Sequence, residues 1–248
     1  MLQSPNFRNR LLAQLPTQEM ATLLPHLERI DLPMHFVIVS AGEIADHVYF
    51  LESGLGSIVA VSPEGAKAEA GMFGWEGFAP TSPAIGFDLS HFELVIQSPG
   101  IAHRIAVSAL WELSGTCPEL YSMLHRSSHN LATQVAYTAL SNAIHHVDER
   151  LARWLLMCHD RVADDEITIT HDYIALMLAV RRPSVTTALH VLEGNRFIKS
   201  TRKLITIRNR KALEAFAHDA YGKPEAEYQQ LFGPRRKQEV APPSSPIS

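Results

Sequence analysis

Residues 170–194 read THDYIALMLAVRRPSVTTALHVLEG, and this stretch predicts two short helices joined by a tight turn. Thr170 is a favourable N-cap for the first helix, because its hydroxyl can accept a hydrogen bond from a backbone amide of the first turn. Pro183 suits the first turn of the second helix, where its missing N–H would have no intrahelical partner. The second helix opens on arginines and hydroxyls, which is typical of a helix that enters the major groove of DNA.

Basic residues are concentrated in the same region. Residues 196–207, RFIKSTRKLITI, predict two strands around a basic turn, which is the pattern of a wing beside a helix-turn-helix. Residues 181–211 contain nine lysines and arginines and a single acid, Glu193, whereas the rest of the chain has 13 basic and 25 acidic residues. A basic module on an acidic body predicts one surface for a polyanion such as DNA.

Arg182 is the best candidate for reading a base, because its planar guanidinium can bridge O6 and N7 of guanine. Thr187 is placed to contact a base edge or a thymine methyl group. Other hydroxyls and cations of this region are expected to hold phosphates and so to set the register on DNA. Together the predicted DNA-contacting residues are Thr170, His171, Arg181, Arg182, Ser184, Thr187, His190, Lys199, Arg202 and Lys203.

Upstream of these helices, residues 31–106 consist of short β-rich segments punctuated by glycine and proline. Several short strands at close spacing predict a small barrel or a jelly roll. Residues 6–30, which precede them, are predicted to be helical. The predicted strands cover residues 36–40, 47–51, 57–61, 68–73, 92–97 and 102–107.

A long helix is predicted from about Pro118 to His146. One stripe of this helix combines apolar and small polar side chains, and two interpretations of it are open. Either the helix packs on its own domain, or the stripe is the seam of a two-stranded dimer whose polar members fix the register or face a ligand. The stripe consists of Leu124, Leu131, Val135, Thr138 and Asn142.

In this order the motifs resemble the Crp/Fnr family of bacterial transcription regulators, from about residue 7 to residue 232. The resemblance implies an α+β fold with an N-terminal double-stranded β-helix (jelly roll) sensor domain, a long dimerisation helix and a C-terminal winged helix-turn-helix. It rests on Leu178–Leu189, Leu192–Glu193, Phe197–Ile198 and Lys203–Ile207, and upstream on Gly42–Glu43, Val48–Gly54, Gly74–Gly77 and Glu149–Leu155.

The resemblance also divides the chain. Residues 1–116 are expected to form a sensor domain of the cyclic-nucleotide-binding type, residues 117–146 the dimerisation helix and residues 147–232 the DNA-binding domain. Residues 233–248 are rich in proline and serine, and this composition predicts a disordered tail. The family further implies a homodimer on palindromic double-stranded DNA, with half-sites about one helical turn apart, and RNA polymerase as a partner.

The sequence departs from the cyclic-nucleotide-binding members of the family at the phosphate. Glu76–Gly77 is present, but the chain has no lysine or arginine between Lys67 and Arg104 to pair with a phosphate. We therefore expect the nucleotide pocket to be degenerate. Its effector is either absent or a molecule that the sequence does not identify. The residues predicted for that pocket are Gly74, Glu76, Gly77 and Thr138.

No cofactor and no metal site is predicted. Cys117 and Cys158 are too few to hold an iron–sulfur cluster. His125 and His129 have the i, i+4 spacing that metal ligands use, but positions on the surface or in the dimer seam explain them more simply.

An alternative function is that of a small-ligand-binding module that uses its winged helix for protein contacts, which would lack the steep salt dependence of DNA binding. An enzyme is not expected, because no cluster of titratable residues has a nucleophile or a metal-site signature. The chain shows no signal peptide and no apolar run long enough to span a membrane, so a cytoplasmic location is expected.

Overall fold

Seven antiparallel strands form two sheets in the N-terminal half of the computed structural model, which describes residues 6–233. The strands are β1 (Glu28–Leu32), β2 (Val37–Val39), β3 (His47–Leu51), β4 (Leu55–Val61), β5 (Lys67–Phe73), β6 (Glu93–Ser98) and β7 (Gly100–Ala106). One sheet has the order β1-β7-β3 and the other the order β2-β6-β4-β5. Side chains of both sheets, among them Leu51, Ile58 and Ile96, share one buried cluster. This confirms the jelly roll predicted from the sequence.

The N-terminal segment is less helical than predicted. It holds two short helices, α1 (Arg10–Gln14) and α2 (Thr17–Leu23), and residues 28–30 belong to β1. β1 pairs with β7 with Glu28 opposite Arg104, and the two side chains form an ion pair of 2.8 Å. Pairing with a strand far along the chain overrides local helical preference, which is a weak determinant.

Helix α3 (Val107–Glu112) leads from the jelly roll into the longest helix, α4 (Pro118–Ile144). Gln134 of α4 closes the open edge of β5. Its Oε1 accepts a hydrogen bond from the backbone N–H of Met72 at 2.7 Å, and its Nε2 donates to the Met72 carbonyl at 3.2 Å. The side-chain amide thus occupies the place of a neighbouring strand at this position.

The apolar part of the predicted dimer seam faces the protein's own core. Leu124 is fully buried in the N-terminal half of the same chain, so its assignment to a seam is wrong. Leu131 packs on the cluster between the two sheets, and Val135 lines a cavity beneath α4. Thr138 Oγ1 donates to a carbonyl one turn back at 2.9 Å, and only Asn142 is exposed. The most apolar face of α4 covers the jelly roll, because this packing removes the most apolar surface from water.

The C-terminal part contains the predicted helix-turn-helix and wing. Its elements are α5 (Val147–His159), β8 (Glu166–Thr168), α6 (His171–Met177), α7 (Arg182–Gly194), β9 (Ile198–Thr201), β10 (Leu204–Ile207), α8 (Arg210–Ala217) and α9 (Lys223–Phe232). The three strands form an antiparallel sheet in the order β8-β10-β9. Thr170 caps α6 as predicted, accepting a hydrogen bond from the backbone N–H of Tyr173 at 3.2 Å.

The last helix, α9, returns to the N-terminal half. Tyr228 and Phe232 lie in the same buried cluster as Phe7 and Leu11, and the Tyr228 hydroxyl donates to the Glu76 carbonyl at 2.8 Å. The predicted tail at 233–248 lies, beyond its first residue, outside the described residues. None of the described helices is long and apolar enough to cross a membrane.

A buried carboxyl group lies where the outer face of the four-stranded sheet meets the C-terminal helices. Glu69 of β5 is 6% exposed. Trp154 Nε1 of α5 donates to its Oε1 at 2.9 Å, Gln97 Nε2 donates to its Oε2 at 2.7 Å, and the Ser57 hydroxyl donates to Oε2 as well. Burial raises the pKa of Glu69 to about 7, although the hydrogen bonds from Ser57 and Trp154 oppose the change.

Candidate DNA-binding surface

The turn between α6 and α7 is short and closed by the backbone. Ala179 adopts a positive φ of 50°, which is uncommon for a residue other than glycine. The N–H of Val180 returns to the Ala175 carbonyl at 3.0 Å. Arg181 is extended, and α7 begins at Arg182. The two helices are therefore held in a fixed relation by the chain itself.

Helix α7 has one buried and one exposed face. Val185 and Leu189, which are four residues apart on one side of the helix, are buried with the core of the C-terminal domain. Arg182, Thr187 and His190 lie on the other side and are exposed. These three residues, which are expected to contact DNA, are thus not buried by other parts of the described chain.

The wing is the hairpin of β9 and β10. Its two-residue turn is Arg202-Lys203, both exposed, and Lys203 adopts a left-handed φ of 66°. Glu193, near the end of α7, accepts a hydrogen bond from the backbone N–H of Ser200 at 3.0 Å. This contact ties the wing to α7, so that both elements can meet one ligand together.

A cleft of about 500 Å³ lies between α7 and the wing. Two further hydroxyls, from Ser200 and Thr201, line it and were missed from the sequence, where a short strand gives no sign of which way its side chains point. Three cations and several hydroxyls around one concave surface suit the phosphates of a nucleic acid backbone. The predicted residues that the structure brings together here are Thr170, His171, Arg182, His190, Arg202 and Lys203.

The other four predicted residues lie outside the cleft. Arg181 and half-buried Ser184 line a separate shallow depression, which Lys67 of β5 also borders. Thr187 is exposed on α7 and its hydroxyl donates to the Pro183 carbonyl at 3.1 Å. Lys199 is exposed on β9.

Two acids also line the cleft, Asp172 and Glu193. Arg182 Nε lies 3.2 Å from Asp172 Oδ1, and the two side chains are 64% and 71% exposed. An ion pair so open to water is worth at most about 1 kcal/mol, so a phosphate or a base can replace Asp172 at the guanidinium.

Residues 149–216, which span α5 to α8, match the family described as a Crp-like helix-turn-helix domain. The protein therefore carries a Crp-like helix-turn-helix domain in its C-terminal part. It is a DNA-binding transcriptional regulator, and the cleft lies within the matched segment. Among proteins with curated descriptions, none matches the chain by sequence.

The Crp/Fnr fold extends over most of the chain. The c-di-GMP-responsive global regulator CLP of Xanthomonas campestris superposes with a TM-score of 0.62 at 18% identity, over 77% of this chain and 99% of that one. For FixK2 of Bradyrhizobium japonicum the TM-score is 0.64 at 17% identity, over 79% and 99%. A CRP-family regulator of Thermus thermophilus gives 0.63 at 21% identity, over 79% and 98%. At these identities the likeness is one of fold.

Of the four residues predicted for an effector pocket, Gly74, Glu76 and Gly77 form one turn, whereas Thr138 lies on α4. Glu76 pairs with Arg161, two residues after the end of α5, with Oε1 and Nε 2.7 Å apart, and Arg161 is 7% exposed. Gly74 lies against the same arginine, and the Gly77 carbonyl accepts a hydrogen bond from an N-terminal side chain. Thr138 is bonded within its own helix. This turn therefore joins the jelly roll to the C-terminal domain.

A cavity of about 480 Å³ lies instead beneath α4, against the inner face of the four-stranded sheet. Its walls include Ile58, Leu94, Leu131, Val135 and Phe92. All of its lining residues are within the described chain, and none of them is a lysine or an arginine. A phosphate placed here would lack the charged partner that supplies most of its affinity.

Proposed function

We propose that the protein is a transcriptional regulator of the Crp/Fnr type that binds a palindromic DNA site as a homodimer, with α7 of each subunit in the major groove of one half-site. The cleft between α7 and the wing supports this proposal, because it joins a base-reading side chain to phosphate-binding ones. Arg182 in the first turn of α7 reads guanine, while Arg202 and Lys203 of the wing hold phosphates. Two such helices related by two-fold symmetry require half-sites about one helical turn apart.

A second stripe of α4, which remains exposed, supports the homodimer. Its members alternate at spacings of three and four residues, which is the seam pattern of two helices that wind around each other. Leu140 and Ile144 lie beside the C-terminal end of this stripe and are 46% and 60% exposed, so apolar surface is available for a second copy of α4 to cover. The exposed stripe consists of Ser122, His125, His129, Ala132, Ala136, Ala139 and Ala143.

We propose that the sensor domain does not take a cyclic nucleotide as its effector. The cavity beneath α4 is lined mainly by apolar side chains and has no cation for a phosphate. We also propose the domain division that the resemblance implies, with residues 1–116 as the sensor domain, residues 117–146 as the dimerisation helix and residues 147–232 as the DNA-binding domain. RNA polymerase is the partner through which such a regulator acts.

Selection of bound duplexes from a random DNA pool tests the proposal, using the purified full chain without added ligand. We expect an enriched two-fold symmetric site with half-sites about one helical turn apart. Lys223→Ala removes an exposed cation on α9, outside the cleft, and should enrich the same site. No enriched symmetric site, either alone or after addition of cell extract, would contradict the proposal.

Sedimentation analysis tests the seam. Ala136→Glu places a charge in the exposed stripe and should shift the protein towards monomers, because burying a carboxylate against a partner helix is unfavourable. Ala163→Glu, at an exposed loop position, is the matched control and should leave the oligomeric state unchanged. If the two variants have the same oligomeric state, this stripe of α4 does not lie in the dimer interface.

A further inference from the structure

Two histidines and an aspartate converge at the junction between α4 and the C-terminal domain, outside the DNA-binding cleft. His145 follows the last turn of α4, and His218 and Asp219 follow α8. Nε2 of His145 lies 3.0 Å from Oδ1 of Asp219, and Nδ1 of His218 contacts the same oxygen atom. The three donor groups present one ligand atom each within 4.8 Å of one another.

The second ring nitrogen of each histidine has a partner of its own. Nδ1 of His145 lies 3.1 Å from Oγ of Ser141, and Nε2 of His218 lies 3.0 Å from Oε1 of Glu149 on α5. Histidines that ligate a metal are held in this way, with the non-ligating N–H donated to an outer oxygen atom. These contacts fix both rings so that one nitrogen of each points towards Asp219.

We propose that His145, His218 and Asp219 bind one divalent transition-metal ion, for which Zn²⁺ is the best match. Two imidazole nitrogens and a carboxylate oxygen are donors that Zn²⁺ takes where a fourth position is left to water or another ligand. Tetrahedral bonds of about 2.0–2.1 Å place two ligand atoms roughly 3.3 Å apart. The observed separation of 3.0 Å between His145 and Asp219 needs only a small outward movement to admit the ion.

The exposure of the three side chains fits this role. The side chain of His145 is 6% exposed and forms a fixed anchor, whereas those of His218 and Asp219 are 51% and 74% exposed and are free to adjust around an ion. His145 ends α4, and the other two ligands lie between α8 and α9. A bound ion would therefore restrain the C-terminal domain against α4. This role goes beyond the proposed recognition of DNA and does not depend on it.

A network of ion pairs is the competing explanation. A protonated His218 between Asp219 and Glu149 forms both contacts without any metal. A metal site predicts one bound ion per chain and weaker binding when Glu149 is changed, because Glu149 accepts a hydrogen bond from His218 without touching the proposed ion. A network of ion pairs predicts no bound metal ion.

Metal titration of the full chain, first freed of metal by a chelator, distinguishes them. We expect one Co²⁺ per chain, with the visible absorption of a tetrahedral site, and its displacement by Zn²⁺. His218→Ala and Asp219→Ala should abolish this binding. Glu149→Gln should weaken it by about 10- to 100-fold, as changes to the outer partner of a ligating histidine do. His129→Ala removes another exposed histidine, on α4 beside Glu227, and should bind the ion as the wild type does.

Two results would overturn the proposal: no saturable Co²⁺ binding by the wild type, or unchanged binding by His218→Ala and Asp219→Ala. Circular dichroism of each variant without metal checks that it is folded. Asp219→Asn keeps the shape of the exposed aspartate, and its amide is a poor ligand for Zn²⁺. It should lose the ion while retaining the fold, so the proposal stays testable if an alanine variant is unstable.

Discussion

Replacing Glu69 by glutamine should remove a large pH dependence from the stability of this protein. Glu69 is buried between β5 and the C-terminal helices, where Trp154 and Gln97 donate hydrogen bonds to its two oxygens. Its pKa rises from 4.5 to about 7 when the chain folds, and burial is the main cause. The native state therefore holds a proton that the unfolded state releases at a lower pH.

The size and the sign of the effect follow from this difference. One pKa unit corresponds to about 1.4 kcal/mol, so the shift in Glu69 is worth about 3 kcal/mol of unfolding free energy. Because the native pKa is the higher one, this stability is fully present below pH 4.5 and is lost as the pH rises through about 7. Glutamine is neutral throughout and has no such dependence.

Urea unfolding of the wild type and Glu69→Gln, followed by tryptophan fluorescence across the pH range, measures the effect. Groups other than Glu69 titrate alike in the two proteins, so their contributions cancel in the difference between the two unfolding free energies. The unfolding free energy of the variant should increase relative to that of the wild type by about 2–3 kcal/mol between about pH 5 and about pH 8. Glu64→Gln, at an exposed position, should show a flat difference. A flat difference for Glu69→Gln as well would refute the argument.

Three further changes have distinct expected outcomes. Arg182→Ala should relax base preference and weaken specific binding by about 1–3 kcal/mol in a competition assay, and an unchanged preference would remove it from base reading. Lys203→Ala should weaken binding to all sequences alike and reduce the salt slope by about one per subunit; a loss confined to the specific site would contradict the wing's role. Asn9→Ala should destabilise the fold by about 3 kcal/mol in urea unfolding, because the fully buried amide bonds the carbonyls of Leu51 and Gly77 at 3.1 and 2.8 Å. Gln18→Ala, exposed on α2, is the control for Asn9→Ala and should cost little.

The helix-turn-helix was predictable because its signals are local. A cap at Thr170 and a proline at 183 mark where two helices begin, and the apolar spacing of Val185 and Leu189 sets the buried face. The jelly roll was predictable in outline from the density of short strands. Its first strand was not, since β1 exists only through pairing with a strand about 70 residues later.

The remaining features depend on which distant residues meet. The pattern at Leu124 is the same whether an apolar face covers its own domain or a second subunit, and only the fold shows that it is the former. Glu69 sits in a strand with no sign that helix α5 would bring Trp154 onto it. Likewise His145 and His218 are far apart in sequence, so no spacing rule could join them into one site.

The amide of Gln134 on the edge of β5 has a consequence for how α4 can move. An unpaired strand edge is a template for the backbone of another chain, and proteins protect such edges. Here the protection is a single side chain that occupies both backbone groups of Met72. Any rotation of α4 large enough to withdraw Gln134 would open the sheet to edge-to-edge association with a neighbouring molecule. The position of α4 is therefore limited by the need to keep Gln134 on the edge of β5, because the exposed edge would favour aggregation.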